Sequence, residues 1–138
     1  MFKNIGVGAL IFNERGGILL MRRTNEPTIY KNCWFIPCGK VKNDETPRKA
    51  IKRELKEELS VEVEILKEIY NKKDSKNVLY IGFLCKLKKG VLTNLEPKKC
   101  SGFKYFPLNN LPRNTGKKAL EIIRQSRTYY FNELSKVF

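Results

Sequence analysis

Two runs of apolar residues near the start of the chain predict a pair of β-strands. The first run, 4–13, reads NIGVGALIFN, and the second, 18–21, reads ILLM. Runs of this length that are rich in β-branched residues and bounded by turn-forming residues are typical of strands. The segment between them, 14–17, reads ERGG and is a turn signal. We therefore expect a β-hairpin, with Arg22 and Arg23 at its end.

The rest of the chain alternates between strand and helix patterns. A short Trp-Phe strand is predicted at 34–37, and a long hairpin with strands at 61–71 and 78–87. The segment 94–106 is a loop that runs into another short strand. The segment 116–134 is predicted to be an amphipathic helix, with apolar positions at Ala119, Ile122, Ile123 and Tyr130. This order of elements predicts an α/β fold with a mixed β-sheet between helices.

The segment 46–59 combines a helix start signal with an apolar stripe. Thr46 fits the N-cap position, and Pro47 fits the first helical position, where the missing N–H of proline costs nothing. Ile51, Leu55 and Leu59 recur every four residues and form the stripe. The segment is therefore predicted to be a helix that buries this stripe.

Three glutamates of this helix are spaced so that their carboxylates lie on one side. Glu54, Glu57 and Glu58 stand at i, i+3 and i+4, and like charges at this spacing destabilise a helix by roughly 0.2–0.5 kcal/mol per pair. A hard divalent cation such as Mg²⁺ or Mn²⁺ would compensate for this repulsion directly. The alternative is a solvated face that pairs with the interleaved basic residues, which are Lys49, Lys52, Arg53 and Lys56.

The spacing of residues 39–61 resembles the signature of the Nudix hydrolases, G-x5-E-x7-R-E-U-x-E-E-x-G-U, in which U is aliphatic. Ser60 stands where the family has glycine. A second departure precedes the signature, because relatives usually show Pro-Gly-Gly and this chain has Cys38 in place of the first glycine. The matching residues are Gly39, Glu45, Arg53, Glu54, Leu55, Glu57, Glu58 and Val61.

The resemblance implies a MutT-like α/β/α sandwich that uses Mg²⁺ or Mn²⁺ to cleave phosphoanhydride bonds. It implies that the three glutamates hold the metal, with help from a backbone carbonyl of Cys38 or Gly39. Glu57 or Glu58 would orient or deprotonate the attacking water. Arg53 would fix the catalytic carboxylates by pairing, with Glu45 as its structural partner.

Four residues outside the helix are candidate substrate-binding residues. Arg22 and Arg23 are suited to phosphates because guanidinium groups bind them bidentately, although a pair of surface charges is the alternative. In MutT-like members an arginine at the position of Arg23 contacts the nucleotide. Trp34 could stack on a base, but aromatic residues in strands more often belong to the core. Glu96 lies in a loop that resembles the loop of triphosphate-cleaving relatives, in which such an acid can complete the metal site or serve as base.

The substrate class implied by the resemblance is a nucleoside diphosphate linked to another group. The loop around Glu96 favours a nucleoside triphosphate, cleaved to the monophosphate and pyrophosphate, although Lys98 replaces its second acid. The segment 24–27, TNEP, favours a nucleotide sugar such as GDP-mannose or ADP-ribose. We rank the triphosphate first, because the sugar-releasing GDP-mannose branch has an altered signature. A non-catalytic nucleotide- or RNA-binding module is the third alternative, and the retained carboxylates argue against it.

Charge and length restrict the partners and the organisation of the chain. The net charge of +14 attracts polyanions, including polyphosphates and nucleic acid. Because the lysines are spread along the chain and no nucleic-acid module is recognisable, we expect a small nucleotide as the partner rather than nucleic acid. A length of 138 residues predicts a single domain, 1–138, acting as a monomer or homodimer.

The cysteine pattern and the apolar runs bear on the cellular compartment. Four cysteines without a CxxC pair, in a chain with no histidine, argue against a zinc site and favour reduced thiols. We see no signal-peptide pattern and no apolar run long enough to span a membrane. The expectation is a cytoplasmic protein without membrane association.

Overall fold

The computed structural model describes residues 4–24 and 32–137. The 25–27 part of the segment predicted to favour a nucleotide sugar lies outside the described residues, as does the side chain of Tyr130. The elements are β1 (Asn4–Ile11), β2 (Gly17–Arg23), β3 (Trp34–Phe35), β4 (Cys38–Lys40), α1 (Pro47–Leu59), β5 (Val61–Lys73), β6 (Val78–Gly90), β7 (Cys100–Pro107) and α2 (Lys117–Val137).

The strands form two sheets that lie between the two helices. One sheet has the order β4-β1-β6-β5, and the other has the order β3-β2-β7. The first sheet is mixed, because β1 pairs with β6 in parallel and with β4 antiparallel. The buried residues of α1 belong to one hydrophobic core and those of α2 to another. The predicted α/β/α sandwich with a mixed sheet between helices is confirmed.

Strands β1 and β2 supply side chains to both cores. Ala9 and Ile11 pack in the core with α1, whereas Leu10 and Phe12 pack in the core with α2. Successive side chains of a strand point to opposite faces, so a strand covered on both faces needs an unbroken apolar run. This burial explains why the N-terminal sequence is apolar throughout rather than alternating.

The predicted hairpin of the first two strands is wrong. The turn forms, with the Asn13 N–H donating to the Gly17 carbonyl at 3.0 Å, and an isolated bridge joins Phe12 to Ile18. Beyond that bridge the strands separate into different sheets. Each strand completes its backbone hydrogen bonds with other partners, β1 with β4 and β6, and β2 with β3 and β7, so direct pairing is not required.

The helix predicted at 46–59 is confirmed, with its capping. Thr46 is the N-cap, and its Oγ1 accepts a hydrogen bond from the Lys49 N–H at 3.2 Å. The apolar stripe Ile51, Leu55 and Leu59 is fully buried. Because this stripe packs in the core, the residues on the other faces of α1 are held at fixed positions relative to the sheet.

The long hairpin predicted after the helix is also confirmed. Strands β5 and β6 pair antiparallel from Val61 opposite Gly90 to Lys73 opposite Leu79, with three irregularities of register along β5. Among the described residues, no helix is both long enough and apolar enough to cross a membrane.

Helix α1 ends at a residue in the left-handed conformation. Ser60 has φ 61° and ψ 34°, and its N–H donates to the Lys56 carbonyl at 3.1 Å. Glycine adopts this conformation without the steric cost that any Cβ brings. The serine at this position of the signature is therefore accommodated in the backbone geometry of glycine, at a cost in stability.

We predict that Ser60→Gly stabilises the protein by about 0.5–1 kcal/mol, because glycine removes the strain of positive φ at the end of α1. Ser60→Ala is the matched control, since it removes the hydroxyl and keeps the Cβ. Thermal or urea denaturation should show a gain for glycine and none for alanine. An unchanged or lowered midpoint for Ser60→Gly would contradict the assignment of strain to this residue.

Candidate active site

Arg53 connects the acidic residues of α1 to the loop that precedes the helix. Its Nε and Nη2 donate to the two carboxylate oxygens of Glu45 at 2.7 and 3.0 Å. Its Nη1 donates to Glu54 Oε1 at 2.9 Å and to Glu57 Oε2 at 3.2 Å. Nη2 also donates to the Lys40 carbonyl at 3.0 Å. One guanidinium group thus fixes three carboxylates and the end of β4.

The pairing of Arg53 with Glu45 keeps both groups charged. The hydrogen bonds from Arg53, followed by the one from the Lys42 backbone N–H, lower the pKa of Glu45 to about 2. The same pairing raises the pKa of Arg53, against the effect of its desolvation. The contact between Arg53 and Glu45 that the family resemblance implied is present. The catalytic role of Arg53 remains a prediction.

Strand β4 passes directly against the carboxyl group of Glu54. A Cβ built on Gly39 would overlap the carboxyl carbon of Glu54, so only glycine permits this approach. Cys38 lies in the same strand and is not among the residues with positive φ, so its side chain causes no backbone strain. The backbone carbonyls of Cys38 and Gly39 remain predicted metal ligands.

Glu58 carries a buried oxygen without a hydrogen-bond partner. The side chain is half-buried, and its Oε1 is buried and unpaired among the described residues. Burial, followed by the charges of Glu54 and Glu96, raises the pKa of Glu58 to about 8, against the opposing effect of Arg23 and Lys99. A buried anionic oxygen without a partner is costly, so this group requires a proton or a cation.

A loop after β6 brings Glu96 towards the end of α1. The Thr93 N–H donates to the Leu59 carbonyl at 2.9 Å, and the Leu95 N–H donates to the Glu58 carbonyl at 3.0 Å. These bonds satisfy carbonyl groups that a helix end leaves unpaired. Glu96 directly follows Leu95, whose N–H is bonded to α1, and the charge of Glu96 contributes to the raised pKa of Glu58. Lys99, which sequence reasoning did not identify, is 3.5 Å from Glu96.

The donor set suits a hard divalent cation, although the acids are not gathered around one point. In residues 4–24 and 32–137, no three acidic or thiol side chains form a ready metal cage. The physical reason is that Arg53 holds one oxygen each of Glu54 and Glu57, while the carboxylates repel one another. Carboxylate oxygens are the ligands that Mg²⁺ and Mn²⁺ prefer, and the unpaired oxygen of Glu58 meets that requirement.

A cleft of about 930 Å³ runs from β4 across β1 and β6 to the start of α2. This volume lies within the range of small-molecule binding sites. Two aromatic residues, Phe35 and Tyr80, line it. Among the described residues, all charged side chains that line it are basic, and they are Arg23, Lys40, Lys117 and Lys118. The cleft therefore favours an anionic ligand with an aromatic part.

The two adjacent arginines have different positions. Arg23 lines the cleft, where its Nη2 donates to Cys38 Sγ at 2.7 Å and its guanidinium lies 4.3 Å from the centre of the Phe35 ring. Arg22 is exposed and is not among the residues that line the cleft. The structure thus brings Arg23 into the candidate site and leaves Arg22 outside it.

The structure does not place Trp34 in the cleft. The Trp34 ring lies edge-on to Phe106, with ring centres 4.9 Å apart, and packs at the border of the core with α2. Its neighbour Phe35 lines the cleft instead, because adjacent residues of a strand face opposite ways. Strand alternation could have pointed to Phe35, whereas Tyr80, Lys117 and Lys118 carry no local sequence signal for this position.

Comparison with known proteins agrees with this geometry. The family model of the NUDIX domain matches residues 2–126. An RNA pyrophosphohydrolase of Marinomonas sp. is 45% identical over 56 residues, which cover 41% of this chain and 32% of that protein. An ADP-ribose pyrophosphatase of Methanocaldococcus jannaschii is 34% identical over 108 residues, which cover 75% of this chain and 62% of that protein. The chain thus matches less than two thirds of the length of either relative.

A solved structure shows the same architecture. The crystal structure of a MutT NUDIX hydrolase from Burkholderia pseudomallei superposes with a TM-score of 0.73 at 26% sequence identity. The superposition covers 88% of this chain and 96% of that one. With the family model matching residues 2–126, these similarities show that the chain belongs to the Nudix family and resembles its MutT-like members.

Proposed function

We propose that residues 1–138 form a single catalytic domain that hydrolyses a phosphoanhydride bond with the help of a divalent metal ion. The substrate class is a nucleoside diphosphate linked to another group. The observation that carries this proposal is the position of the α1 glutamates around Arg53, next to a cleft whose described charged residues are all basic. Cleaving a phosphoanhydride requires neutralising phosphate oxygens and directing a water at the phosphorus.

The proposed metal is Mg²⁺ or Mn²⁺. Glu54, Glu57 and Glu58 would hold it, together with a backbone carbonyl of Cys38 or Gly39. When bound, such an ion neutralises phosphate oxygens and increases the acidity of water. The unpaired buried oxygen of Glu58 and the close approach of Gly39 to Glu54 support this assignment.

Each nearby side chain then has a definite role. Arg53 positions Glu54 and Glu57 by hydrogen bonds from one nitrogen. Glu57 is exposed, so water can reach it, and Glu58 has a pKa raised to about 8 by burial and by neighbouring acids. Either can orient or deprotonate the attacking water. Arg23, at the edge of the cleft, would bind a phosphate of the substrate.

We rank a nucleoside triphosphate, cleaved to the monophosphate and pyrophosphate, as the first candidate substrate. Four basic residues, with no acid among the other described residues of the cleft lining, favour a substrate with high negative charge. The hydrogen bond from the Leu95 N–H to the Glu58 carbonyl brings the loop with Glu96 to α1, which is consistent with the loop of triphosphate-cleaving relatives. We further propose a cytoplasmic location, since the four cysteines form no CxxC pair and lack the density of a disulfide-stapled secreted domain.

ADP-ribose is the second candidate. It is favoured by the similarity to an ADP-ribose pyrophosphatase over 75% of this chain. The similarity to an RNA pyrophosphohydrolase adds RNA with a phosphoanhydride bond to the substrates that require testing. A non-catalytic binding module would bind one of these ligands and release no product.

We predict hydrolysis of at least one of these substrates with Mg²⁺ or Mn²⁺ and none with EDTA. In the same assay, Glu57→Gln should lower kcat by about 10²-fold or more, because it removes a charge needed to hold the metal or activate water. Glu62→Gln is the matched control, since Glu62 is exposed and its Oε1 lies 3.9 Å from Lys56 Nζ, a long ion pair. Full activity in EDTA, or near-normal turnover of both Glu57→Gln and Glu58→Gln, would refute the proposal.

The two arginines at the end of β2 provide a second test. Arg23→Ala should raise KM by roughly tenfold or more, because it removes a charge-assisted contact to a phosphate. Arg22→Ala should leave KM unchanged, since Arg22 is exposed and outside the cleft lining. Steady-state kinetics on the best substrate, with melting temperatures of both variants, measures this. Equal KM values for the two variants would contradict a substrate contact by Arg23.

A further inference from the structure

We propose that Lys117, Lys118 and Tyr80 form a second anion subsite in the cleft. This subsite takes a phosphate that the ligand carries on the far side of its nucleoside from the diphosphate. The inference rests on the proposed function only in that the α1 glutamates mark the end where hydrolysis occurs. Neither lysine is assigned a role in that hydrolysis.

The backbone places this subsite one nucleoside away from the acidic end. Gly6 on the central strand β1 pairs with Lys40 on one side and with Tyr80 on the other. Two strand spacings, roughly 10 Å in total, therefore separate Lys40 from Tyr80. Both residues line the same cleft. A ligand that reaches from β4 to the start of α2 must span this distance, which is comparable with the length of a nucleoside.

Side-chain contacts hold the ammonium group of Lys118 at this end of the cleft. Its Nζ lies 3.0 Å from Glu121 Oε2 and 3.4 Å from Tyr70 Oη. The same Nζ lies 4.8 Å from the centre of the Tyr80 ring. An ammonium group has three N–H donors, and within the described part of the chain two have partners. One donor therefore remains for a ligand.

The charges and the ring chemistry indicate a phosphate attached to a nucleoside. Lys117 lies next to Lys118 in the cleft lining, and the described residues of that lining include no acid; Lys118 pairs with Glu121, which lies outside the lining. An anionic group of the ligand would bind favourably to both cations at this end, whereas a neutral group would not. The Tyr80 ring offers an apolar face to the sugar or base that joins the two phosphates.

Glu121 competes with the ligand for Lys118. Its side chain is half exposed, and ion pairs in such positions contribute little to stability, so a phosphate can displace the carboxylate. Tyr70 Oη hydrogen-bonds to the same oxygen of Glu121, which keeps the carboxylate near the lysine. Removing the charge of Glu121 should therefore strengthen phosphate binding at this subsite.

Equilibrium binding tests this inference without requiring hydrolysis. The probes are nucleoside 5′-monophosphates, the corresponding 3′,5′-bisphosphates, and dinucleotides with a 5′-phosphate. Each of the four bases is tested, and affinities are compared only between probes that carry the same base. For at least one base we expect the bisphosphate or the dinucleotide to bind about fivefold or more tightly than the monophosphate. A gain for the dinucleotide identifies an oligonucleotide end as the source of the phosphate. A gain confined to the bisphosphate identifies a phosphorylated mononucleotide.

Three variants separate the subsite from general attraction to a basic protein. Lys118→Gln should reduce the affinity of the bisphosphate to that of the monophosphate, and Glu121→Gln should increase it. Arg124→Gln is the matched control, because Arg124 is an exposed cation of the same helix outside the cleft lining. Melting temperatures confirm that each variant is folded.

The proposal is overturned by equal affinities of monophosphates and the doubly phosphorylated probes, or by no measurable binding of any probe. It is also overturned if Arg124→Gln loses as much affinity as Lys118→Gln, since the effect would then be nonspecific. Absence of hydrolysis in the separate activity assay, with this binding pattern intact, would refute the proposed function and leave the subsite standing.

Discussion

The contacts of the Arg53 guanidinium are the constraint on which the candidate site depends. Glu45, Glu54 and Glu57 would repel one another at this range, and Arg53 binds all three. The fully buried stripe of α1 fixes the position of the helix that carries Arg53. The ion pair with Glu45 joins Arg53 to the loop before the helix. Glu58 takes no part in these hydrogen bonds and has one unpaired buried oxygen, so this carboxyl group requires a proton or a cation.

Local patterns predicted the parts of the structure that depend on neighbouring residues. The signals that specify α1 all lie within the helix or next to it, and they are Thr46, Pro47 and the stripe that ends at Leu59. The bounds and the N-terminal capping of α1 could therefore be predicted from the sequence. The hairpin failed because the partners of β1 and β2 come from distant segments. The cleft residues Tyr80, Lys117 and Lys118 could not be predicted for the same reason, since only the tertiary fold brings β6 and the start of α2 to one cleft.

Backbone geometry accommodates the departure within the Nudix signature and the one that precedes it. Ser60 adopts the left-handed conformation that glycine would occupy, with φ 61°. Cys38 needs no such conformation, because it lies in β4, and its thiol sulfur accepts a hydrogen bond from Arg23 at 2.7 Å. The chain therefore keeps the arrangement of its carboxylates while differing at two positions that surround them.

We propose that the Glu58 carboxylate is held for a divalent cation, and thermal unfolding at pH 9 in EDTA or with Mg²⁺ measures this. Because the pKa of Glu58 is raised from 4.5 to about 8 in the folded protein, the stability of the wild type falls as pH rises through this interval. In EDTA at pH 9, Glu58→Gln should therefore melt at a higher temperature than the wild type. This difference should shrink at pH 4.5. Mg²⁺ should raise the melting temperature of the wild type and of Glu62→Gln, but not of Glu58→Gln. Equal stabilisation of all three proteins by Mg²⁺, or a Glu58→Gln variant less stable than the wild type in EDTA at pH 9, would contradict this role of Glu58.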